Sequence, residues 1–130
     1  IFHLEAPSSA TKMKLINNLC LGSFMATLAE CTALAESCEI PKAKALEILG
    51  VGGGQSLVLK AKTQKLINED FSAHFSNNAI NKDLHLLQDL AYNLKLPLYS
   101  ACVPKELFSK MKMMGKGEED FSSIYQLFKK

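Results

Sequence analysis

Several common structural signals are missing from this 130-residue sequence. Its four cysteines form no CxxC pair and have no companion histidines at zinc-ligand spacing. Its three histidines lie far apart, without the spacing of a metal site or a catalytic triad. The net charge is only +2, so we expect neither a nucleic acid nor a membrane surface as a partner. Because no signal peptide or disulfide pattern is visible, the sequence predicts a reduced, cytoplasmic protein without a bound metal.

The sequence also lacks an uninterrupted apolar run of the length that a transmembrane helix needs. Residues 19–29 are apolar, but Asn17 and Asn18 precede them and Glu30 follows. We therefore predict a buried central helix rather than a membrane span. Three thiols in and after this stretch are expected to pack as small apolar side chains: Cys20, Cys31 and Cys38.

No alternating strand pattern occurs beyond the first few residues, and apolar residues recur instead at helical spacing. The pattern predicts a first helix over about 10–38, a second over 42–49 and a third that begins at Ser56 and ends before a loop at 70–78. A fourth helix is predicted over about 78–94 and a fifth after Pro97, ending near Gly115. The last predicted helix is short and is capped by Asp120. Ser8, Ser9 and Thr11 are candidate caps of the first helix. The fold class is therefore all-α, in one domain large enough for a core.

Two segments of this pattern, a glycine run and the helix after it, need closer interpretation. A glycine run from Gly52 to Gly54 lacks the GK[ST] ending of a phosphate-binding loop and follows no strand, so we interpret it as a hinge. The helix after Ser56 has an apolar set of Leu57, Leu59, Ala61, Leu66 and Ile67 and a charged set of Lys60, Lys62, Lys65 and Glu69. We predict that the apolar set faces the core and the charged set faces solvent.

Three polar residues, Lys14, Asn17 and Asn18, lie near the start of the long apolar helix. At about 100° per residue, Lys14 and Asn18 are one turn apart on the same face, whereas Asn17 projects to the side. A cation and an amide at the head of an apolar stripe are costly to bury without partners. They are therefore either paired inside the fold or open to a ligand in a cleft, and Asn17 is expected to pack or to cap the backbone.

Three motifs resemble the second domain of the β-hydroxyacid dehydrogenases, a family that includes 3-hydroxyisobutyrate dehydrogenase and the glyoxylate/succinic semialdehyde reductases. The motifs are Lys14-Leu15-Ile16-Asn17-Asn18 with Gly22-Ser23-Phe24-Met25-Ala26-Thr27, then Phe75 with Lys82-Asp83-Leu84, and finally Asp120-Phe121-Ser122-Ser123. They follow the family's order and cover nearly the whole chain. The Gly-Ser-x-Met-Ala-Thr run is more similar to the reductases.

This resemblance implies roles for five residues. Lys14 would be the catalytic lysine that protonates the carbonyl oxygen as hydride arrives, and Asn18 would donate from its amide to the same substrate. Lys82 would contact the cofactor near the nicotinamide. Asp83 would belong to the substrate site as an ionic partner or orienter of Lys14, and Phe75 would form a pocket wall. Without the resemblance, both lysines would be surface residues and Asp83 a first-turn acid.

The resemblance also implies that residues 1–130 are the C-terminal helical domain of a two-domain enzyme, with the fold of 6-phosphogluconate dehydrogenase-like proteins. An N-terminal Rossmann domain, absent from this chain, would bind most of the NAD or NADP, so the isolated domain is predicted to be inactive. The whole enzyme would act on a small β-hydroxyacid or semialdehyde of the 3-hydroxyisobutyrate, glyoxylate or succinic semialdehyde type. It would be a homo-oligomer, either a dimer or a tetramer.

Two alternatives stay open: a non-catalytic helical oligomerisation module from the same family, and a free-standing helical adaptor. One departure from the family's pattern concerns the segment before Lys14. Ala6, Ser8 and Ala10 occupy positions where the family usually has glycines. Because alanine and serine restrict both positive φ and the close approach of a ligand, we expect a reshaped substrate pocket.

Overall fold

A computed structural model describes the whole chain, Ile1–Lys130, as six helices without a strand. The helices are α1 (Ser9–Ser37), α2 (Lys42–Leu49), α3 (Leu57–Asn68), α4 (Asn77–Asn93), α5 (Cys102–Met113) and a C-terminal 3₁₀ helix (Phe121–Leu127). The one β-type contact is an isolated bridge between Ser76 and Asp120. The all-α prediction is confirmed, and each predicted helix is found near its expected position.

The central helix is α1, which packs against all five of the other helices. Its inner face, including Met25, Ala29 and Thr32, is buried. By length and apolar composition alone, α1 would also suffice to cross a membrane. The polar residues that flank its apolar run therefore do not exclude a membrane span, contrary to our expectation. In this fold the same apolar composition lets the other helices surround it, as predicted for a central helix.

The outer face of α1 is uncovered, which corrects the expectation that its cysteines are buried. Cys20 and Cys38 are exposed and Cys31 is half-buried, all as free thiols. Large apolar side chains are exposed on the same helix: Met13, Ile16, Phe24 and Leu34. The expectation was wrong because a helix that is apolar on most sides gives no signal for which side its neighbours will cover.

Serine residues cap two of the helices but not the first. The Ser56 and Ser76 hydroxyls each accept a hydrogen bond from the backbone N–H three residues further on, at 3.0 and 3.1 Å. Of the three candidates for α1, Ser8 occupies the N-cap position as predicted, but its side chain makes no hydrogen bond to the helix. A backbone turn from Ser9 N to Ala6 O starts α1 instead.

The inward face of α3 also differs from the prediction. Lys62 and Lys65 are buried, whereas Leu57 and Ala61 are exposed. Apolar periodicity assigns lysine to the solvent by default, and a buried ammonium is tolerated only where it has partners. Lys62 pairs with a carboxylate that is distant in sequence, and Lys65 binds the segment that follows α3. The periodicity rule failed here because both buried lysines have partners.

Candidate functional site

The crossing of α1 and α4 brings together three of the predicted site residues. Asp83 Oδ2 accepts a hydrogen bond from Asn18 Nδ2 at 2.7 Å, although the two residues lie 65 positions apart. The same oxygen is 3.5 Å from Lys14 Nζ, within ion-pair distance. The one-turn spacing of Lys14 and Asn18 on α1 thus directs both side chains toward a single carboxylate on α4.

A glycine one turn after Asn18 sets the distance between the two helices. A Cβ atom on Gly22 would lie only 3.1 Å from Leu84 Cδ1 and 3.6 Å from Ile80 side-chain atoms. Leu84 is the neighbour of Asp83, so a side chain at Gly22 would push against α4 beside the carboxylate. The family motif that begins at Gly22 therefore has a physical role here: it permits the close packing that the Asn18–Asp83 hydrogen bond needs.

The three side chains differ sharply in burial, and this difference defines what the cluster can do. The side chain of Asp83 is 4% exposed, whereas that of Lys14 is 63% exposed. Asn18 is buried between them. An ammonium group has three N–H donors, and the one acidic group near Lys14 Nζ is the Asp83 carboxylate, 3.5 Å away on the inner side. Lys14 is therefore anchored at its inner side and can donate to a molecule that lies over the surface.

The structure alters the expected roles of the two asparagines. Asn18 Nδ2 already donates to Asp83, so one of its two amide hydrogens is used inside the protein. Only its second amide hydrogen and its carbonyl oxygen are left for a ligand. Asn17 is exposed and its side chain makes no hydrogen bond within the chain, so the expectation that it packs or caps is wrong.

Lys82 and Phe75, the other two predicted site residues, do not touch this cluster. Lys82 is exposed on α4, and its side chain makes no ion pair or hydrogen bond within the chain. Phe75 lies just before α4, half-buried, with its ring edge-on to that of Phe121 at 5.6 Å between centroids. Lys82 is thus free to bind a partner molecule, whereas Phe75 is partly engaged in the core.

The candidate site is an open surface rather than an enclosed pocket. None of the five main cavities of the domain is lined by Lys14, Asn18 or Asp83. The best-enclosed of them lies elsewhere, between α1 and the loop after α2, and is lined by Phe24, Leu49 and Gly54, among others. No group of three or more histidine, cysteine or acidic side chains is placed to hold a metal ion. Lys14 therefore faces solvent at this site.

The sequence analysis missed a second polar cluster, which is centred on Asp120. Its Oδ2 atom accepts hydrogen bonds from Lys62 Nζ and His74 N, each at 3.0 Å, and from Phe75 N at 3.2 Å. Its Oδ1 atom accepts from the backbone N and the hydroxyl of Ser122, at 3.0 and 2.6 Å. Asp120 was predicted correctly as the cap of the last helix, but its ion pair with Lys62 gave no sequence signal.

These contacts determine the charge state of Asp120. Burial opposes ionisation of the carboxyl group, but hydrogen bonds from Ser122, Lys62 and His74 outweigh burial. Together they hold the pKa of Asp120 below its ordinary value. Asp120 and Lys62 therefore form a charged pair that is almost completely removed from solvent, with side-chain exposures of 0% and 7%.

A third polar cluster surrounds Tyr125, which is fully buried in the 3₁₀ helix. Its hydroxyl donates to Glu36 at the end of α1, and Lys42 Nζ lies 3.4 Å from the same hydroxyl. Burial, followed by the hydrogen bond to Glu36 and the negative charge there, raises the pKa of Tyr125. This cluster joins α1, α2 and the 3₁₀ helix and shares no residue with the Lys14 or Asp120 clusters.

Comparison with known proteins places this chain in a family. A family model described as NAD-binding of NADP-dependent 3-hydroxyisobutyrate dehydrogenase matches residues 8–128. The chain is 31% identical over 129 residues to 2-(hydroxymethyl)glutarate dehydrogenase of Eubacterium barkeri. The aligned region covers 98% of this chain and 43% of that protein. It is 32% identical over 127 residues to the cytokine-like nuclear factor N-PAC of Gallus gallus, covering 98% of this chain and 23% of that protein.

Solved structures show the same fold. A 3-hydroxyisobutyrate dehydrogenase from Salmonella typhimurium matches with a TM-score of 0.84 and 28% identity, over 88% of this chain and 40% of that chain. A Mycobacterium tuberculosis 3-hydroxyisobutyrate dehydrogenase studied with L-serine matches in fold, with a TM-score of 0.81 at 21% identity, over 91% of this chain and 43% of that one. The chain thus spans less than half the length of each of these relatives.

Proposed function

Because this chain belongs to the NAD(P)-dependent 3-hydroxyisobutyrate dehydrogenase family, we propose that it is the C-terminal helical domain of a two-domain oxidoreductase. The whole protein would interconvert a small β-hydroxyacid and its aldehyde or ketone, of the 3-hydroxyisobutyrate, glyoxylate or succinic semialdehyde type. The observation that carries the proposal is the exposed Lys14 ammonium, held from below by the buried Asp83 carboxylate. An N-terminal Rossmann domain would supply the facing surface of the cleft.

In this mechanism Lys14 handles the proton of the substrate oxygen. A bound NAD or NADP supplies the hydride acceptor or donor. In the reductive direction the Lys14 ammonium gives a proton to the carbonyl oxygen and becomes the neutral amine. In the oxidative direction the neutral amine takes the proton from the hydroxyl group and becomes the ammonium. Asp83 orients the ammonium and balances its charge, and Asn18 holds Asp83 in place while offering its second amide hydrogen to the substrate.

The proposed function is tested on the full-length protein with a panel of small hydroxyacids and semialdehydes and with both NAD and NADP. We expect turnover of at least one β-hydroxyacid with one of the two cofactors, followed by absorbance of the reduced nicotinamide. Small alcohols and aldehydes that lack a carboxyl group serve as controls and are expected to be inactive. No turnover of any substrate in either direction would contradict the proposal.

Lys82 is proposed to contact the cofactor, because it is exposed, unpaired and next to Asp83 in the sequence. Replacing Lys82 with alanine in the full-length protein should raise the cofactor KM roughly tenfold or more, the scale of a lost hydrogen bond to a charged group, with a smaller loss in kcat. Lys110→Ala removes another exposed, unpaired lysine and should change neither constant. A Lys82→Ala variant with an unchanged cofactor KM would remove Lys82 from the site.

The chain by itself is proposed to be inactive and to bind no dinucleotide tightly. The glycine-rich turn that leads into α3, Gly52–Gly54, follows no strand and lacks the GK[ST] ending of a loop that cradles phosphate groups. Titration of the isolated 130-residue chain with NADH and NADPH, followed by nicotinamide fluorescence, should show no saturable binding in the micromolar range. Micromolar affinity would mean that this domain binds the cofactor without a Rossmann domain.

The whole protein is also proposed to be a cytoplasmic homo-oligomer, a dimer or a tetramer, with subunits that meet through the uncovered face of α1. Four large apolar side chains are exposed there: Met13, Ile16, Phe24 and Leu34. Several large apolar side chains exposed along one helix are typical of an interface. Sedimentation of the purified protein should give a mass of two or four subunits. A monomer at high concentration would exclude the proposed interface.

A second candidate function is a non-catalytic helical module of the same family. It is favoured by the match to a protein named as a nuclear factor rather than as a dehydrogenase. The paired geometry of Lys14, Asn18 and Asp83 favours the enzyme instead, because an oligomerisation module has no use for a partly exposed lysine anchored on a buried carboxylate. The activity panel separates the two candidates.

A further inference from the structure

The segment between α3 and α4 is a short connection, yet two buried lysines and one buried carboxylate hold it in place. Lys65 Nζ donates to the carbonyl oxygens of Ser72 at 2.5 Å and Asp70 at 3.3 Å. Lys62 neutralises Asp120, whose Oδ2 atom in turn accepts the N–H groups of His74 and Phe75. The segment is thus fixed at both of its ends by charged groups.

The constraint is greatest at Phe75. Its N–H is held by Asp120, its carbonyl oxygen accepts a hydrogen bond from Phe121 N at 2.8 Å, and its ring lies edge-on to the ring of Phe121. Lys62 Nζ lies above the Phe121 ring, 5.1 Å from its centroid. Phe75 packs against the core and is nevertheless only half-buried as a residue. A half-buried aromatic residue with a fixed backbone is suited to contact a ligand.

Stability alone does not explain this arrangement. Removing two charges from water is costly, and a buried ion pair is often no more stabilising than well-packed apolar side chains. Such pairs are retained in some proteins because they fix one arrangement of the chain. Here the arrangement that Asp120 fixes is the backbone at Phe75, two residues before α4 carries the chain on to Lys82 and Asp83.

We propose that Asp120, neutralised by Lys62, is a positioning residue that holds the Phe75 ring in place against the substrate. The proposal rests on the proposed function, since Phe75 must line the pocket that Lys14 serves. From the start of α4 to Asp83 the helix rises by on the order of 10 Å, so a ligand lying along α4 would meet Phe75 at one end and Lys14 with Asp83 at the other.

The test compares substrate KM and thermal stability in the full-length protein. Asp120→Asn alone strands the Lys62 ammonium, so the main variant is Lys62→Met combined with Asp120→Asn, which leaves no buried charge. We expect this double variant to remain folded with a melting temperature near that of the wild type. Its substrate KM should rise roughly tenfold while the cofactor KM is unchanged, because only the aromatic contact is misplaced.

Coupling to Phe75 distinguishes positioning from a general loss of structure. Phe75→Leu should raise the substrate KM to a similar extent, and the triple variant should be no worse than Phe75→Leu, because residues acting through one contact are not additive. Should the double variant fail to fold, Ser122→Ala removes a single donor to Asp120 and is combined with Phe75→Leu in the same way.

Tyr125→Phe is the matched control. It removes a buried hydrogen bond from the same 3₁₀ helix, and it should lower the melting temperature without changing the substrate KM. A double variant with wild-type KM, a Phe75→Leu variant with wild-type KM, or multiplicative effects in the triple variant would each overturn the proposal. Absence of turnover in the wild type is a different result, since it removes the proposed function and this inference with it.

Discussion

Replacing Lys14 with methionine in the full-length protein is expected to lower kcat by about 10²–10⁴-fold, the usual contribution of a general acid or base. Methionine keeps much of the aliphatic length of lysine but can neither carry a proton nor pair with Asp83. Because the Lys14 side chain is mostly exposed, the fold and the cofactor affinity should survive the change. The measurement is steady-state kinetics in both directions, with the cofactor KM determined separately.

Lys12→Met is the matched control for this experiment. Lys12 is also exposed on the first turns of α1, but it makes no ion pair within the chain. Its replacement removes the same charge from the same helix and should leave kcat unchanged. If Lys14→Met retains more than about a tenth of the wild-type kcat, far above the general-acid expectation, Lys14 is not the proton donor. The non-catalytic interpretation would then be preferred.

The second large effect is on stability. Asp120→Asn in the full-length protein should destabilise this domain by about 3–5 kcal/mol at pH 7, because it leaves the ammonium of Lys62 buried without its counter-charge. The pair has an N–O distance of 3.0 Å and is almost fully removed from solvent. Urea unfolding followed by circular dichroism measures the difference. Asp89→Asn, which changes an exposed carboxylate on α4, should have almost no effect.

The same variant has a defined pH dependence. The pKa of Asp120 in the folded protein lies below its ordinary value, which is about 3.9 in an unfolded chain. The stabilisation from the ionised carboxylate is therefore fully present above about pH 4 and is lost as the pH falls through the lower, folded-state pKa. The stability difference between the wild type and Asp120→Asn should be constant from pH 7 to pH 5 and shrink below pH 4. A difference that grows on acidification would contradict the assigned charge state.

Helix positions could be predicted from the sequence because they depend on local signals. The bounds predicted for α2, which follows Pro41, are the observed ones, since proline and apolar spacing act within a few residues. The placement of Lys14 and Asn18 on one face of α1 follows from the same helical repeat. These features need no knowledge of what the helix contacts.

The errors concern residues whose environment is set by distant segments. Periodicity assigns Lys62 and Lys65 to solvent, whereas in the structure their partners are Asp120, just before the 3₁₀ helix, and the segment after α3. The cysteines of α1 were assigned to the core, because an apolar helix does not reveal which face stays uncovered. The periodicity of a sequence indicates whether a residue favours the core or the solvent, and only the tertiary structure shows which residues it contacts.

The pairing of Asn18 with Asp83 could be predicted only in part. No local pattern connects two residues that are 65 positions apart. The resemblance to the dehydrogenases suggested that Asp83 and Lys14 act together, and Gly22 explains how the two helices come close enough. Which hydrogen-bonding group of Asn18 is already used inside the protein could be worked out only from the structure.

We propose that Lys14 meets the reacting oxygen of a small hydroxyacid in a cleft closed by a second domain. A crystal structure of the full-length protein with NAD or NADP and a β-hydroxyacid tests it most directly. We predict that Lys14 Nζ lies about 2.6–3.2 Å from the substrate hydroxyl oxygen, the distance of a productive proton transfer, while Asp83 still bridges Lys14 and Asn18. A substrate bound away from Lys14, with the ammonium facing only solvent, would contradict the account.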